Sequence, residues 1–292
     1  MRNIKIIYEN DRGESVVISN TFPYLLKSFI GGDGAEANIT SSKGVGQDGS
    51  TITNVNLKER HLQIIGVIKD MDKSTLIKRK AKLLQVFNPK VQGWLQYEYG
   101  DVKKRIRCQV ESAPTFSMPF NVFSVLYFVV DLVAPNPYWQ DINATKAEIA
   151  VWRGAFKFPL RIIESGIKMG FREPNLIVNI ENKGDVSCGM EIRFKALATV
   201  INPYLFNINT REQFKINKTM EAGEVITVTT HFQNKKMKLA KNGVTTNAFN
   251  WINPISTFMQ LETGDNLLRY GADEGIDSLE VDIYFIPQYL GV

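Results

Sequence analysis

The sequence predicts a mainly β protein of two domains with one amphipathic helix, and three observations carry that expectation. Short runs of β-branched and aromatic residues recur along the chain between turn-forming clusters. Only the stretch between Asp72 and Pro89 spaces its apolar residues as a helix does. The chain has 292 residues, 44% hydrophobic and 22% charged, which suits two ordinary domains that each bury a core.

In chain order, Ile4 to Tyr8, the turn cluster Asp11 to Glu14 and Ser15 to Ile18 read as strand, turn, strand. Glycine-rich Ile30 to Gly34 opens a long polar loop that runs to Ser50 and includes the turn pair Asp48-Gly49. Arg60 to Ile68 is a largely buried strand. Asp72 or Ser74 caps the helix, since a side-chain oxygen there accepts from the free N–H groups of the first turn. The helix is expected to run from about Ser74 to Phe87. Leu76, Ile77, Ala81, Leu84 and Phe87 form its inner face, with Lys78, Arg79 and Lys82 outside. Asn88-Pro89 ends it.

Gly93 to Tyr99 and Arg105 to Glu111 follow as strands, the second with Ile106, Cys108 and Val110 inward. Phe120 to Ala134 is a further long strand. Residues 1–139 are taken as the first domain and 140–292 as the second. Within the second, 140–174 serves as a connector anchored by Trp152, Phe156 and Phe158. Beyond it the pattern is all β: Leu176 to Ile180, Glu191 to Phe194, Glu224 to Val228, Phe258 to Leu261 and Leu279 to Phe285, with turns at Gly223, Asn242-Gly243 and Gly264. That spacing predicts a β-sandwich.

Several function classes lose ground on composition alone. The formal charge is +5, and all of the excess lies in residues 1–140, which hold 18 Lys and Arg against 13 Asp and Glu; residues 141–292 hold 17 of each. No concentrated basic stripe marks a nucleic-acid surface, and Lys103-Lys104-Arg105 lacks an aromatic ladder. Cys108 and Cys188, too few for a disulfide framework, are expected as buried thiols of a protein made in a reducing cytoplasm. The opening residues alternate and carry charge, unlike a secretory signal, and no apolar run suits a membrane helix.

Chemistry is equally sparse. His61 and His231 each stand alone in strand-like runs, without a metal or acid–base partner nearby in sequence. Gly31 to Gly34 lacks the lysine and hydroxyl of a phosphate loop and reads as a flexible surface loop. Asp273, Glu274 and Asp277 cluster without an EF-hand spacing, so a solvated acidic turn is expected. No catalytic residue, metal ligand or cofactor site is assigned. The one binding hypothesis the residues support is sugar stacking on Trp251, Tyr204 and Tyr270, against the commoner fate of such rings in a sandwich core.

The order of elements resembles the distal tail proteins of siphophages. The first half carries this in the Tyr8-Glu9-Asn10 hairpin, the turn from Gly46 to Ser50, Arg60 leading a hydrophobic strand, Phe87-Asn88-Pro89 before Gly93-Trp94-Leu95, Glu111 to Phe116, and Ala134 to Trp139. The second half carries it in Asn182 to Val186, Gly223 to Val228, Asn242-Gly243 and Tyr289 to Val292. The resemblance implies an N-terminal domain that forms a ring, of six copies, and an outward galectin-like or carbohydrate-module-like sandwich. It also implies a place in the virion tail tip between the tail tube protein and the tail-associated lysin or tip protein, with receptor-binding proteins or host cell-wall sugar as further partners. The rival expectation is a carbohydrate-binding module acting at the host surface, and an enzyme is the least favoured class.

Overall fold

The computed structural model describes residues 4–118, 124–148, 152–154, 170–172 and 177–292, and the chain divides into two compact units. The first unit comprises Met1–Ile142 together with Gln288–Val292; the second is Asn143–Pro287. The boundary expected after residue 139 therefore lies slightly later, and the last residues, expected in the second domain, return to the first.

The first unit contains β1 (Ile4–Asn10), β2 (Ser15–Ile18), β3 (Tyr24–Ile30), β4 (Ala37–Ser42), β5 (Thr51–Leu57), β6 (Arg60–Lys69), α1 (Lys73–Val86), β7 (Gln92–Tyr99), β8 (Val102–Val110), β9 (Thr115–Ser117), β10 (Val125–Ala134) and β11 (Trp139–Asp141). Its main antiparallel sheet runs β2-β1-β7-β8-β10-β6-β3, with β9 beside β10. β11 pairs with β8 on one side and with Gln288–Tyr289 on the other. The alternation in β6 and β10 explains the core. Leu62, Ile64 and Ile68 point the same way as Leu126, Phe128, Val130 and Leu132, and all are buried. Gly66 lies opposite Phe128, where a Cβ would come within 2.3 Å of the phenyl ring, so only glycine lets that ring occupy the space. Burying Phe128 is worth about 2–3 kcal/mol. The expected start of this strand at Phe120 falls outside the described residues, as do Asn121, Val122 and Phe123.

The helix begins as expected, with Asp72 accepting from the N–H groups of Ser74 and Thr75. Its phase differs. The buried residues are Leu76, Leu83 and Val86, followed by Phe87 at the cap, whereas Ile77 and Leu84 are 57% and 41% exposed and Ala81 is also exposed. Two apolar stripes compete on this helix. The one formed by Leu76, Leu83 and Val86 wins because Leu83, Val86 and Phe87 together fill the core, and Phe87 stacks on Tyr8 at 4.5 Å. Arg79, expected outside, bends back to Asp70 at 2.5 Å and to the Lys69 carbonyl at 3.0 Å.

The expected polar loop from Gly31 to Ser50 is not a plain loop. It supplies β4, which pairs with β5 alone, as an exposed two-stranded arm.

The second unit contains β12 (Thr145–Glu148), β13 (Trp152–Gly154), β14 (Gly170–Arg172), β15 (Ile177–Asn182), β16 (Met190–Ala196), β17 (Val200–Ile201), β18 (Tyr204–Asn207), β19 (Gln213–Lys215), β20 (Thr219–Met220), β21 (Val225–Thr229), β22 (Lys236–Lys241), β23 (Val244–Asn247), β24 (Gly264–Gly271) and β25 (Leu279–Phe285). A six-stranded sheet, β12-β25-β16-β21-β22-β23, and a four-stranded sheet, β15-β24-β18-β19, contribute to one apolar core. From the first come Ile192, Phe194, Ile226, Val228 and Ile283, and from the second Ile180, Leu205, Phe214 and Leu268. This is the expected β-sandwich. Asn242 and Gly243 both take positive φ, 50° and 79°, the geometry of a tight turn between β22 and β23.

Two expectations change here. Phe258 to Leu261 is not a strand: only Leu261 makes a bridge, to Cys188, while Phe258 packs its ring on Phe214 at 5.2 Å. The supposed connector contributes strands, since β12 belongs to the six-stranded sheet and Trp152 lies in β13, paired with β14. The anchors Phe156 and Phe158 lie outside the described residues.

Candidate functional site

The most constrained polar feature of the first unit forms around Arg60. This residue opens β6, is 4% exposed, and donates to five backbone carbonyls: Pro137 at 2.8 Å, Gly31 at 2.8 Å, Gly32 at 3.1 Å, Asp33 at 3.4 Å and Leu290 at 2.5 Å. The indole N–H of Trp139 also donates to Gly32, at 3.0 Å. Burial pulls the guanidinium below its usual pKa, opposed by the nearby Asp33 charge. A guanidinium stays charged in proteins, so its donors must be satisfied, and the carbonyls of three chain segments satisfy them. Gly31 to Asp33, expected as a flexible surface loop, is thus tied down. Gly31 has φ +87°, and a Cβ there would come within 2.0 Å of the His61 carbonyl.

The cations that made the first half basic are mostly engaged within the unit. Lys104 pairs with Asp141 at 2.6 Å and lies over the Tyr289 ring. Arg105 and Arg107 both lie over Trp94, and Arg107 holds Asp11. Lys103-Lys104-Arg105 is therefore no open phosphate-binding strip.

The candidate sugar-stacking residues do not share a platform. Tyr270 is 1% exposed and shares the inner face of its sheet with Leu205, its partner across the strands. Tyr204, one position over, points to the opposite face and covers Gly271. Trp251 is half-buried against the core, with Lys218 5.1 Å from its ring centroid. A hollow of about 600 Å³ on the six-stranded sheet is lined by Glu191, Arg193, Thr227, Thr229, Lys236 and Lys238 among others. No aromatic ring lines it.

The remaining chemical candidates also have ordinary surroundings. His61 is exposed and lies 2.6 Å from Glu111. His231 packs on Gly189, and burial lowers its pKa, with Glu191 opposing. Both cysteines are buried, and burial pushes each thiol up to about 12. Asp273 accepts from Lys215 at 2.8 Å and Asn202 at 2.9 Å, which hold its carboxyl below the usual range. Among the described residues, no group of three or more His, Cys, Asp and Glu side chains is placed to hold a metal.

Sequence reasoning singled out Arg60 only as the head of a strand. Its carbonyl partners come from positions 31–33, 137 and 290, and no local signal marks such a distant set.

Comparison with known proteins bears directly on these two units. Residues 11–126 match the phage tail protein RIFT-related domain, and residues 183–289 match the C-terminal domain of siphovirus-type tail components. No curated protein matches. Among solved structures, the SPP1 Dit protein, described as a paradigm of the hub adsorption apparatus in phages infecting Gram-positive hosts, is similar over 98% of this chain and 99% of its own. Its TM-score is 0.68 at 12% identity. The baseplate of phage P2 in its activated conformation with Ca, and the same baseplate with Sr, each match over 100% of both chains with TM-score 0.54 at 10% identity. With a tail-protein domain in its first half and the tail-component domain in its second, this chain belongs to the siphophage distal tail protein family.

Proposed function

We propose that this protein is the hub of a phage tail tip, a closed ring that joins the tail tube to the proteins of host recognition. The observation that carries the reading is the pairing of both family domains, in order, in one chain that matches a hub protein along its full length. In this reading the first unit makes the ring and the second projects from it. One face of the ring meets the tail tube protein and the other the tail-associated lysin or tip protein, with receptor-binding proteins as further partners. The ring has six copies and no hydrolase or transferase activity. Closed rotational symmetry lets identical copies satisfy every interface. Function then rests on geometry and docking surfaces, which suits side chains spent on packing and ion pairing. The carbohydrate-module reading gains no support from the placement of Trp251, Tyr204 and Tyr270.

Native mass spectrometry of the full chain across a salt series, repeated with the tail-tip partner, tests this. At 33.1 kDa per chain, six copies weigh about 200 kDa. Monomer under every condition, or an open-ended filament, overturns the hub.

A further inference from the structure

The six-stranded sheet of the second unit ends at β23 with one side open. The Asn242-Gly243 turn joins β23 to β22, so Lys241 and Val244 form the first ladder pair. Hydrogen bonding alternates from there. The next bonded pairs are Leu239 with Thr246 and Met237 with Ala248, whose N–H donates to the Met237 carbonyl at 3.0 Å. Thr245 and Asn247 fall between these pairs, so their backbone N–H and C=O groups point away from β22. Among the described residues no backbone group pairs with them, and all four residues of β23 are exposed. The other sheet shows what a closed edge looks like. At β19 the Gln213 carbonyl accepts from Thr257 at 2.8 Å and the Lys215 carbonyl from Asn253 at 3.0 Å, so the chain itself covers that edge. β23 also lacks the devices that blunt an edge. It contains neither proline nor lysine, and its register with β22 runs without a bulge.

The two flanks of this edge differ in chemistry. On the outer face Lys238 lies across the ladder from Asn247, and Lys236 follows two residues away on the same side. Both lysines are exposed, and among the described residues neither has a carboxylate partner, whereas Arg193 and Lys195 on the same sheet are paired with Glu191 and Glu280. On the core side the edge is apolar: Val244 is 65% exposed and Phe249 45%. Two hollows meet along β22 and β23, of about 440 and 600 Å³, and both are lined by Lys236, Lys238 and Thr245.

We propose that β23 is a docking edge that takes up an extended segment of a partner protein as one more strand, a segment in which carboxylate and apolar residues alternate. The backbone of the added strand satisfies the outward groups of Thr245 and Asn247, and the period of two sends successive side chains to opposite flanks. Apolar residues then cover Val244 and Phe249, while carboxylates face Lys236 and Lys238. The added strand lies two strand spacings from β22, roughly 10 Å, a gap that an extended lysine and a carboxylate side chain close between them. Other occupants fit less well. A phosphate polymer brings acceptors to the lysines but no donors to the two carbonyls. A second copy pairing through its own β23 sets lysine against lysine. The inference rests on the hub reading, which it deepens by giving the second unit a way to hold a tail-tip partner.

Amide hydrogen exchange of the full chain, followed by NMR, reads the edge directly. A synthetic eight-residue peptide alternating Glu and Val is expected to slow exchange at Thr245 and Asn247 about tenfold or more, with less change at Thr246, which is already bonded to Leu239. Thr245→Pro removes an outward donor without touching the ladder to β22, and it is expected to abolish the protection of Asn247. Lys236→Glu with Lys238→Glu is expected to weaken the Glu-Val peptide about tenfold or more and to admit a Lys-Val peptide in its place. If the Glu-Val peptide protects neither amide, or binds the charge-reversed chain equally, strand addition is wrong. Inorganic polyphosphate binding where the peptide does not would mark a polyanion site and overturn it as well. These amides report whether or not a ring forms, so such a result leaves the hub intact. Failure of the wild-type chain to assemble with its tail partner would instead remove the hub reading, and strand addition would still stand or fall on its own amides.

Discussion

A single buried cation does structural work far from its own strand. Replacing Arg60 with methionine keeps much of the apolar stem but removes every donor to the five carbonyls, and unsatisfied buried carbonyls cost more than the bonds were worth. A loss of roughly 3 kcal/mol or more is expected in chemical denaturation. Arg60→Lys should recover only part of it, because a compact ammonium cannot span so wide a set. Glu224 is the acidic counterpart in the second unit, 4% exposed and held by Lys218 at 2.8 Å and Lys241 at 3.4 Å. Burial alone would raise its pKa, but these lysines and the Glu221 N–H outweigh burial and bring it below the ordinary 4.5. A depressed folded-state pKa stabilises the fold above the unfolded value, and that stability is lost as pH falls through the folded one. Melting temperature should therefore drop below about pH 4.5, and Glu224→Gln should flatten the drop. An unchanged acid limb in the variant would count against this role. Neither residue announces itself in the sequence, because what makes each matter is a partner brought by the fold.

Elements were legible where one face is buried and the other is wet. β2 and β25 lie where alternation placed them, and Ile106, Cys108 and Val110 all point into the core. The single helix was legible in length and cap but not in rotation. Its sequence offers two apolar stripes about one residue apart, and only the shape of the receiving core selects between them. Leu83→Ala, at a fully buried site, should cost about 2–5 kcal/mol. Leu84→Ala, 41% exposed, should cost under about 1 kcal/mol. Equal losses in denaturant titrations would mean that the helix is turned otherwise. In the sequence the β4–β5 arm reads as a loop for a related reason. Its polar face, its bulge and its Gly- and Ser-rich tip mask an alternation that becomes plain only once the two strands are set side by side. Phe258 to Leu261 shows the opposite error, since apolar residues there serve the core through a bridge and a ring contact without forming a strand.

At the scale of the whole molecule, the mainly β class and the sandwich of the second unit were legible. The path of the chain was not. The first unit takes back the last five residues, where Trp139 pairs with Tyr289 and Gln140 with Gln288, and where Arg60 grips the Leu290 carbonyl. Residues 1–139 alone lack those partners, so that fragment should be less stable than a chain in which residue 141 is linked directly to residue 288. Thermal melts of the two fragments decide this, and equal melting temperatures would show that the returning strand contributes nothing. Only the linked fragment is a fair test of whether the first unit assembles without the second.

The side-by-side pairing of β11 with Gln288–Tyr289 also has a mechanical consequence. The second unit is an insertion that leaves and re-enters the first through neighbouring strands, so it hangs on two covalent leads. A protease cut at one point between residues 143 and 287 would leave both fragments attached to the first unit, each by its own lead. Tension on the second unit would likewise divide between two strands that brace each other laterally. A double attachment tolerates a break that a tail-end domain on a single linker would not survive.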